Sequence, residues 1–548
     1  MLTATHDWVR LFEGETARDL TRALPAILQS RRWFGGKARR IDRVDLLDYI
    51  AIPSDSMSLV LLIRVEYDDA PAETYSLPVT AAFGDEVERI RRDLPSAVIA
   101  PFVLEREGKA ENGLLYDALW NRDFTVALLN AISRGSRFSG LSGNLTASST
   151  DAFAELVPLG AKPEPVVMKS EQSNTSVAYN GSVILKLYRR VQEGSNPDLE
   201  IGRVLTRLRF SSVPLLAGAL EYQAPSGPPV TLGVLQQFVA NRGDAWQYSL
   251  DAVKQFFGAV HSQPPEPAAG ETPRMLQLAR EPYPPLARHL IGGNLEWAER
   301  LGQRTAQLHG ALSQVADDSA FAPERLTADY RQLQRAAVKH GMAEVLMLLS
   351  ERTDFFSAGG KQQAGLLLDL TPAVARISNA FEMVSPSVLR IRGHGDYHLG
   401  QVLCTEGDFM ITDFEGEPAR SLAERRMKHP VLLDIAGMIR SFQYVPFVFL
   451  KGQALEPCRW ASYWANWMSG AFLKGYLSTS VGTELWPQNR QDAGILLDLY
   501  LARKAFYELR YELNNRPGWV MIPLRGIKDL MKADATVVEA DRGMVTTK

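Results

Sequence analysis

The chain has 548 residues, of which 46% are hydrophobic and 22% charged, with a formal net charge of −3. That is a soluble globular composition, long enough for roughly two to four packed units, and it lacks the basic excess that nucleic-acid binding needs. Its only cysteines, Cys404 and Cys458, exclude a disulfide framework or a CxxC metal site.

Met1 to Arg10 carries no charged region followed by an apolar core, so no signal peptide is expected. The next segment reads as a short helix around Ala17–Leu24, followed by strands at Ser58–Glu66 and Glu73–Val79. Between them lies Arg31-Arg32-Trp33-Phe34-Gly35-Gly36-Lys37-Ala38-Arg39-Arg40, whose two glycines beside two large aromatics suggest a packed turn, its basic residues expected to be solvated rather than to face phosphates. From Asn144 to Val239 the pattern becomes short strands with polar turns. Tyr179-Asn180-Gly181-Ser182 signals a tight hairpin, and a Pro/Gly loop joins Pro214–Tyr222 to Val230–Val239. After Asn241 the chain turns helical. Ser262–Thr272 reads as a loop, Leu301, Thr305, Leu308 and Leu312 recur at helical spacing, and Pro323 to Glu351 is amphipathic. The apolar run Val431–Leu450 is broken by Asp434 and Arg440, so no membrane span is expected, and a reducing cytoplasm fits the whole. A last helix, Ile495–Asn514, is stopped by Asn515-Arg516-Pro517-Gly518. Strands, then a linker, then helices indicate an α+β protein of two lobes with an N-terminal extension.

Gly393-His394-Gly395-Asp396-Tyr397-His398-Leu399-Gly400-Gln401 is the most informative run. An amide, Gln401, follows the carboxylate Asp396, and a second carboxylate, Asp413, closes an apolar strand before Phe414 and Glu415. Phosphoryl transfer needs a carboxylate to orient the acceptor hydroxyl, oxygen ligands for Mg²⁺ and a lysine on the α/β-phosphates of ATP. H-G-D-Y-H-L-G-Q followed by D-F-E keeps the spacing of the kinase signature, with Gln401 in place of asparagine. Lys186, inside the apolar strand Val183–Leu187, supplies the cation, since a lysine there is costly unless paired. Glu200 is the candidate to orient it, with Asp198 as competitor. Ser173, Asn174, Thr175 and Ser176 replace a glycine-rich loop and offer backbone N–H groups to phosphates. Gln236, Gln237, Phe238 and Val239 stand where an adenine-binding hinge is expected. Asp434 reads as structural, either a helix cap or an acceptor for the catalytic-loop backbone, and His398 as a packed or loop-orienting histidine. On the last helix Lys504, Tyr507, Glu508 and Tyr511 share one face. Tyrosines flanked by charges suit a sugar, and equally suit a half-buried packing face.

Across these segments the chain resembles the maltokinase family. The resemblance rests on RRWFGGKAR, SNTSVAYNGSVILKLYRRVQEGSNPDLEIG, HGDYHLGQVL, ITDFEGEPARSLAERR, LLDIAGMIRSF and KAFYELRYELNNRPGWVMIPLRGI. It implies an α+β, bilobal protein-kinase-like fold similar to aminoglycoside phosphotransferases. The expected parts are an N-terminal cap subdomain over 1–95, a kinase-like N-lobe with intermediate subdomain and hinge over 96–240, and a helical C-lobe over 241–548. It further implies ATP- and Mg²⁺-dependent formation of maltose 1-phosphate, feeding α-glucan synthesis, with trehalose synthase as a functional partner. The matched motifs place Asp396 and His394 in catalysis and Gln401, Asp413 and Glu415 at the metal. Lys186 goes to the phosphates. His398, Lys504, Tyr507, Glu508 and Tyr511 are carried to the sugar, and one of Glu415 and Glu417 is expected to assist metal or sugar. The competing reading is a kinase of the same architecture for glucosamine or an aminoglycoside, because acceptor choice rests on pocket shape. A catalytically dead scaffold is disfavoured by Lys186, Asp396, Gln401 and Asp413 standing together. A barrel glycosidase is disfavoured by the lack of repeated strand–helix units.

Overall fold

The computed structural model describes residues 2–158, 160, 162–168, 173–260, 275–351, 370–450, 459–480 and 483–527. The loop expected at Ser262–Thr272 and the thiol of Cys458 lie outside them. The chain divides into two compact units, Met1–Ala240 and Asn241–Lys548.

The first unit holds two sheets, the first mixed and the second antiparallel throughout. One contains β1 (Leu2–Thr5), β2 (Ile41–Ile52), β3 (Ser58–Tyr67), β4 (Glu73–Phe83), β5 (Val98–Arg106) and β6 (Lys109–Asp117). Their order is β1-β5-β6-β4-β3-β2, and this sheet therefore runs on to Asp117. The apolar run of β3 does not alternate because both of its faces are covered. Leu59, Leu61, Ile63 and Val65 pack with Leu20, Leu24 and Leu28 of helix Gly14–Ser30. Val60 and Leu62 face the opposite way, into a core shared with the second sheet. Each such buried aliphatic side chain stabilises the fold by about 1.5–3 kcal/mol.

The turn Arg31–Arg40 is packed, and Arg31 departs from its solvated expectation. Arg31 and Phe34 are buried, the Arg31 guanidinium donates to the carbonyls of Ser96 and Val98, and the Phe34 ring lies 5.1 Å from that of Tyr75. Arg39 reaches Glu73 at 3.3 Å, while Arg32, Lys37 and Arg40 are exposed. Glu73 also accepts from the hydroxyls of Tyr67 and Tyr75, at 2.7 and 2.6 Å. Two backbone carbonyls and the Tyr75 ring, all from outside the turn, draw Arg31 and Phe34 inward.

The second sheet comprises β7 (Arg137–Ser139), β8 (Asn144–Ser149), β9 (Pro165–Val167), β10 (Asn174–Tyr179), β11 (Val183–Tyr188), β13 (Leu216–Gln223) and β14 (Val230–Gln237). It is ordered β7-β8-β13-β14-β11-β10-β9, and the two residues of β12 (Arg190–Val191) leave it to pair with β4 of the first sheet. Asn180 and Gly181 turn the β10–β11 hairpin as their residue types predict. Helix Pro197–Arg207 starts with proline at its first turn and an Asn196 side chain capping Asp198. The two sheets are joined by Asp48 of β2. It is fully buried and accepts from the N–H groups of Leu141 and Gly143 (2.6 and 2.8 Å) and from the Tyr222 hydroxyl (2.7 Å).

The second unit is mainly helical: Ala245–Val260, Asn294–Ser313, Ala328–Glu351, Leu370–Glu382, Leu432–Phe449, Arg459–Thr479 and Arg490–Asn515. Leu301, Thr305, Leu308 and Leu312 are all buried, as their spacing predicts. Two small two-stranded sheets interrupt the helices, β15 (Glu324–Arg325) with the distant β16 (Leu389–Arg390) and the hairpin of β17 (Val402–Cys404) with β18 (Phe409–Ile411). Among the described residues no helix is long and apolar enough to cross a membrane.

Candidate active site

The loop from Gly393 to Gln401 is held from below by one carboxylate. Asp434, on the first turn of helix Leu432–Phe449, accepts from the backbone N–H of His394 at 2.7 Å and of Gly395 at 2.9 Å. His309 reaches the same carboxylate at 3.2 Å and bonds the Tyr476 hydroxyl at 3.0 Å through its other nitrogen. Burial pushes the Asp434 carboxyl up, but His309 and the loop N–H groups outweigh it and hold it ionised. A cavity of about 20 Å³ lies beneath, lined by His309, Gly393, Glu417, Arg420, His429 and Asp434, which is room for about one water.

Above this support the loop presents Asp396. Its Oδ1 accepts from Lys504 Nζ at 2.8 Å, and Lys504 also lies 3.5 Å from Glu417. Burial works to raise the Asp396 carboxyl, yet the Lys504 ammonium and the neighbouring histidines prevail and hold it at about 2. Burial likewise works against the Lys504 charge, and Asp396 and Glu417 more than compensate, so the ammonium is held well above its ordinary value. His398 is pushed down, chiefly by burial. Its Nδ1 accepts from Gly400 N–H at 3.1 Å, so Nε2 carries the proton, 4.0 Å from Asp396 Oδ2. His394 is buried with its Nε2 donating to the Thr412 carbonyl at 2.9 Å. Its ring packs 4.8 Å from Phe414, so it binds the loop to the strand carrying Asp413. Its Nδ1 has no hydrogen-bond partner among the described residues.

Gln401 Nε2 donates to Asp413 Oδ2 at 2.7 Å, and the Thr412 N–H bonds the Gln401 carbonyl at 2.9 Å. With its N–H₂ so used, the amide has its carbonyl oxygen to offer beside a carboxylate, a donor pair that suits a hard cation such as Mg²⁺. Asp413 has φ 67°, a left-handed conformation that non-glycine residues adopt at a cost and that concentrates at functional sites. Glu415 follows, its carbonyl fixed by Arg425 at 3.1 Å.

The face on the last helix divides. Lys504 turns to Asp396, and its ammonium sits 4.9 Å from the Tyr507 ring centre. The Tyr507 hydroxyl is pushed up to about 12, first by burial and then by Glu417. Glu508 accepts from Nε and Nη2 of the buried Arg440, at 3.0 and 2.6 Å. Tyr511 is 43% exposed, with the Arg516 guanidinium 5.1 Å over its ring. Arg440, Arg420, which pairs with Glu417, and His309 were not singled out from sequence. His309 sits in an apolar stripe beside Leu308, and a lone polar residue there was the available signal.

In the first unit Lys186 is 8% exposed and lies opposite Ser176 on β10 and Val234 on β14. Its Nζ stands 3.4 Å from Asp198, which also accepts from the Tyr188 hydroxyl at 2.8 Å. Asp198, weighed as the competitor for Lys186, thus stands within salt-bridge distance of it; Glu200, the first candidate, sits on the same helix, partly buried. Ser173 is exposed, Asn174 and Thr175 are partly buried and Ser176 is buried. Gln236 pairs with Ile184 and Leu216 across the sheet. The N–H groups of Gln237 and Phe238 are committed to the Leu215 and Ser182 carbonyls, both at 2.8 Å, and Val239 follows them.

Residues 28–120 match the maltokinase N-terminal cap domain. A glucosamine kinase of Streptacidiphilus jiangxiensis is 24% identical over 390 residues, covering 70% of this chain and 76% of that protein. A solved glucosamine kinase, in a crystal form termed B, has a TM-score of 0.59 at 18% identity, covering 94% of this chain and 99% of its own. Glucosamine kinase in complex with glucosamine, ADP and inorganic phosphate gives a TM-score of 0.56 at 18% identity, covering 89% and 93%. The fold is therefore that of an aminoglycoside-phosphotransferase-like kinase with an N-terminal cap.

Proposed function

We propose that this chain is an ATP-dependent sugar kinase and that its acceptor is maltose, phosphorylated at the anomeric hydroxyl. One observation carries the choice of a neutral sugar: the carboxylates around Asp396 already have cations. Asp396 is paired with Lys504, Glu417 with Lys504 and Arg420, and Glu508 with Arg440. A face so neutralised favours hydroxyl groups, with the Tyr507 ring beside them, over an added ammonium.

In this reading Asp396 orients the acceptor hydroxyl. A carboxylate held at about 2 is a weak base at neutral pH, so it positions the hydroxyl and receives its proton late, as a loose transition state allows. Asp413 and Gln401 would hold Mg²⁺, with Glu415 adjoining, and the bound cation would neutralise charge on the phosphates. Lys186 of the first unit is assigned to the α/β-phosphates.

The second reading is glucosamine, favoured by the relatives that carry that name. ADP release measured with maltose, glucose, glucosamine and trehalose separates the two. Maltose should give the highest kcat/KM and a non-reducing product, and Asp396→Asn should lose ~10²–10⁴-fold in kcat. Preference for glucosamine would establish the second reading, and turnover of no sugar would refute both.

A further inference from the structure

Arg189 is the residue that leaves β11 just after Lys186, and it is 1% exposed. Its guanidinium meets three different parts of the first unit. Nε donates to the Thr175 hydroxyl at 2.9 Å, on β10. Nη2 donates to Asp117, the last residue of β6. The cation lies 5.0 Å over the Trp33 ring, in the basic turn. Its backbone carbonyl accepts from Ser76 N–H of β4 at 2.7 Å. Trp33, Ser76 and Asp117 all fall within the residues that match the cap domain, whereas Thr175 and Lys186 lie on the β10–β11 hairpin.

Nη1 of the same guanidinium is buried and has no hydrogen-bond partner among the described residues. An unmet buried donor is a cost that a fold ordinarily removes. A lysine would bring fewer donors to satisfy, but it could not bridge an acid, a hydroxyl and an aromatic face with one planar group. The bridging geometry is what the cost retains.

We propose that Arg189 is a positioning residue through which the cap sets the conformation of the nucleotide-holding hairpin. The inference rests on the reading that Lys186 and Ser173–Ser176 face the phosphates. The cap is then part of the nucleotide site although it supplies no group to it. Asp117 fixes the guanidinium, the guanidinium fixes the Thr175 hydroxyl, and the β10–β11 register opposes Ser176 to Lys186.

The test uses full-length Asp117→Asn and Trp33→Leu, neither of which alters a proposed nucleotide contact, with Lys186→Met as the control for the underlying reading. KM for ATP, KM for the sugar and the melting temperature are measured for each. Asp117→Asn should raise KM for ATP roughly 10- to 150-fold, the equivalent of one charge-assisted hydrogen bond, with KM for the sugar nearly unchanged. Trp33→Leu should do the same to a smaller extent. A lowered melting temperature with an unchanged ratio of the two KM values would make Arg189 a structural bridge only and overturn the inference. If Lys186→Met raises KM for ATP and both cap variants leave it alone, the nucleotide reading stands and the coupling is refuted. If the cap variants act and Lys186→Met does not, the coupling stands and the assignment of Lys186 fails. If Asp117→Asn does not fold, Trp33→Leu decides alone on the same criterion.

Discussion

Asp48 and Asp434 use one device for two purposes. Each is a buried carboxylate that collects backbone N–H groups from a short glycine-containing loop: Leu141 and Gly143 in the first unit, His394 and Gly395 in the second. Each also takes one side-chain donor, Tyr222 or His309. The approach is so close that a side chain is barred in both loops. A Cβ on Gly140 would stand 2.6 Å from Asp48, and one on Gly393 would stand 2.6 Å from Asp434. What differs is the cargo. The loop on Asp48 carries no titratable group and fastens the cap sheet to its neighbour, whereas the loop on Asp434 carries Asp396. The same anchor is thus structural in one unit and, on the proposed reading, rate-setting in the other.

The largest contrast should come from Asp434→Asn. An amide oxygen cannot accept from all of the donors that converge here, so a buried N–H is left unmet, at a cost of ~1–3 kcal/mol. Because the displaced loop bears Asp396, kcat should also fall by ~10²-fold, the usual penalty for misplacing a catalytic group by an ångström. A kcat that held while stability fell would reduce Asp434 to the status of Asp48.

Lys504→Met sharpens the comparison through pH. In the wild type Asp396 is ionised down to about 2. A depressed carboxylate adds stability above its unfolded value, ~3.9, and loses it as pH falls from there through about 2. The acid limb of kcat due to Asp396 should therefore lie below pH ~4. Removing the ammonium leaves burial opposed only by His398 and His394, so that limb should move to higher pH. A pH profile identical to wild type would show that Lys504 does not govern Asp396.

The smallest effect on turnover is expected from Asp48→Asn. It should lower stability by ~1–3 kcal/mol, read from denaturant midpoints, while kcat changes by less than about twofold, in keeping with an anchor whose loop carries no titratable group. A large loss of kcat in this variant would mean that the two anchors are not separable.

The features legible in sequence are those with local causes. Asn180-Gly181 announced its turn, Leu301 to Leu312 their buried stripe, and Pro517 the end of the last helix at Asn515. The run from His394 to Gln401 announced a loop with a carboxylate and an amide at fixed spacing, and Asp434 a backbone acceptor. What escaped depends on contacts between distant segments. Asp48 looks like an ordinary polar position of a strand, and its partners lie 93 to 174 residues away. Lys504 was read as facing a sugar, yet its nearest charge, Asp396, stands 108 residues earlier. Arg31 and Phe34 were drawn into the fold by the carbonyls of Ser96 and Val98 and by Tyr75, none of which leaves a trace in the composition of their own turn.

The parallel pairing of β1 with β5 has a consequence for the order of assembly during synthesis. Leu2 lies beside Phe102 and Thr5 beside Glu105, so β1, once it has left the ribosome, must wait for a partner about one hundred residues behind it. At ~5–20 residues per second that is a delay of roughly 5–20 seconds. During that interval helix Gly14–Ser30 and the β2–β3–β4 meander, whose contacts are near in sequence, are the parts able to form first. β1 then closes the sheet at its edge, covering the row of N–H and C=O groups on β5 that would otherwise invite another chain.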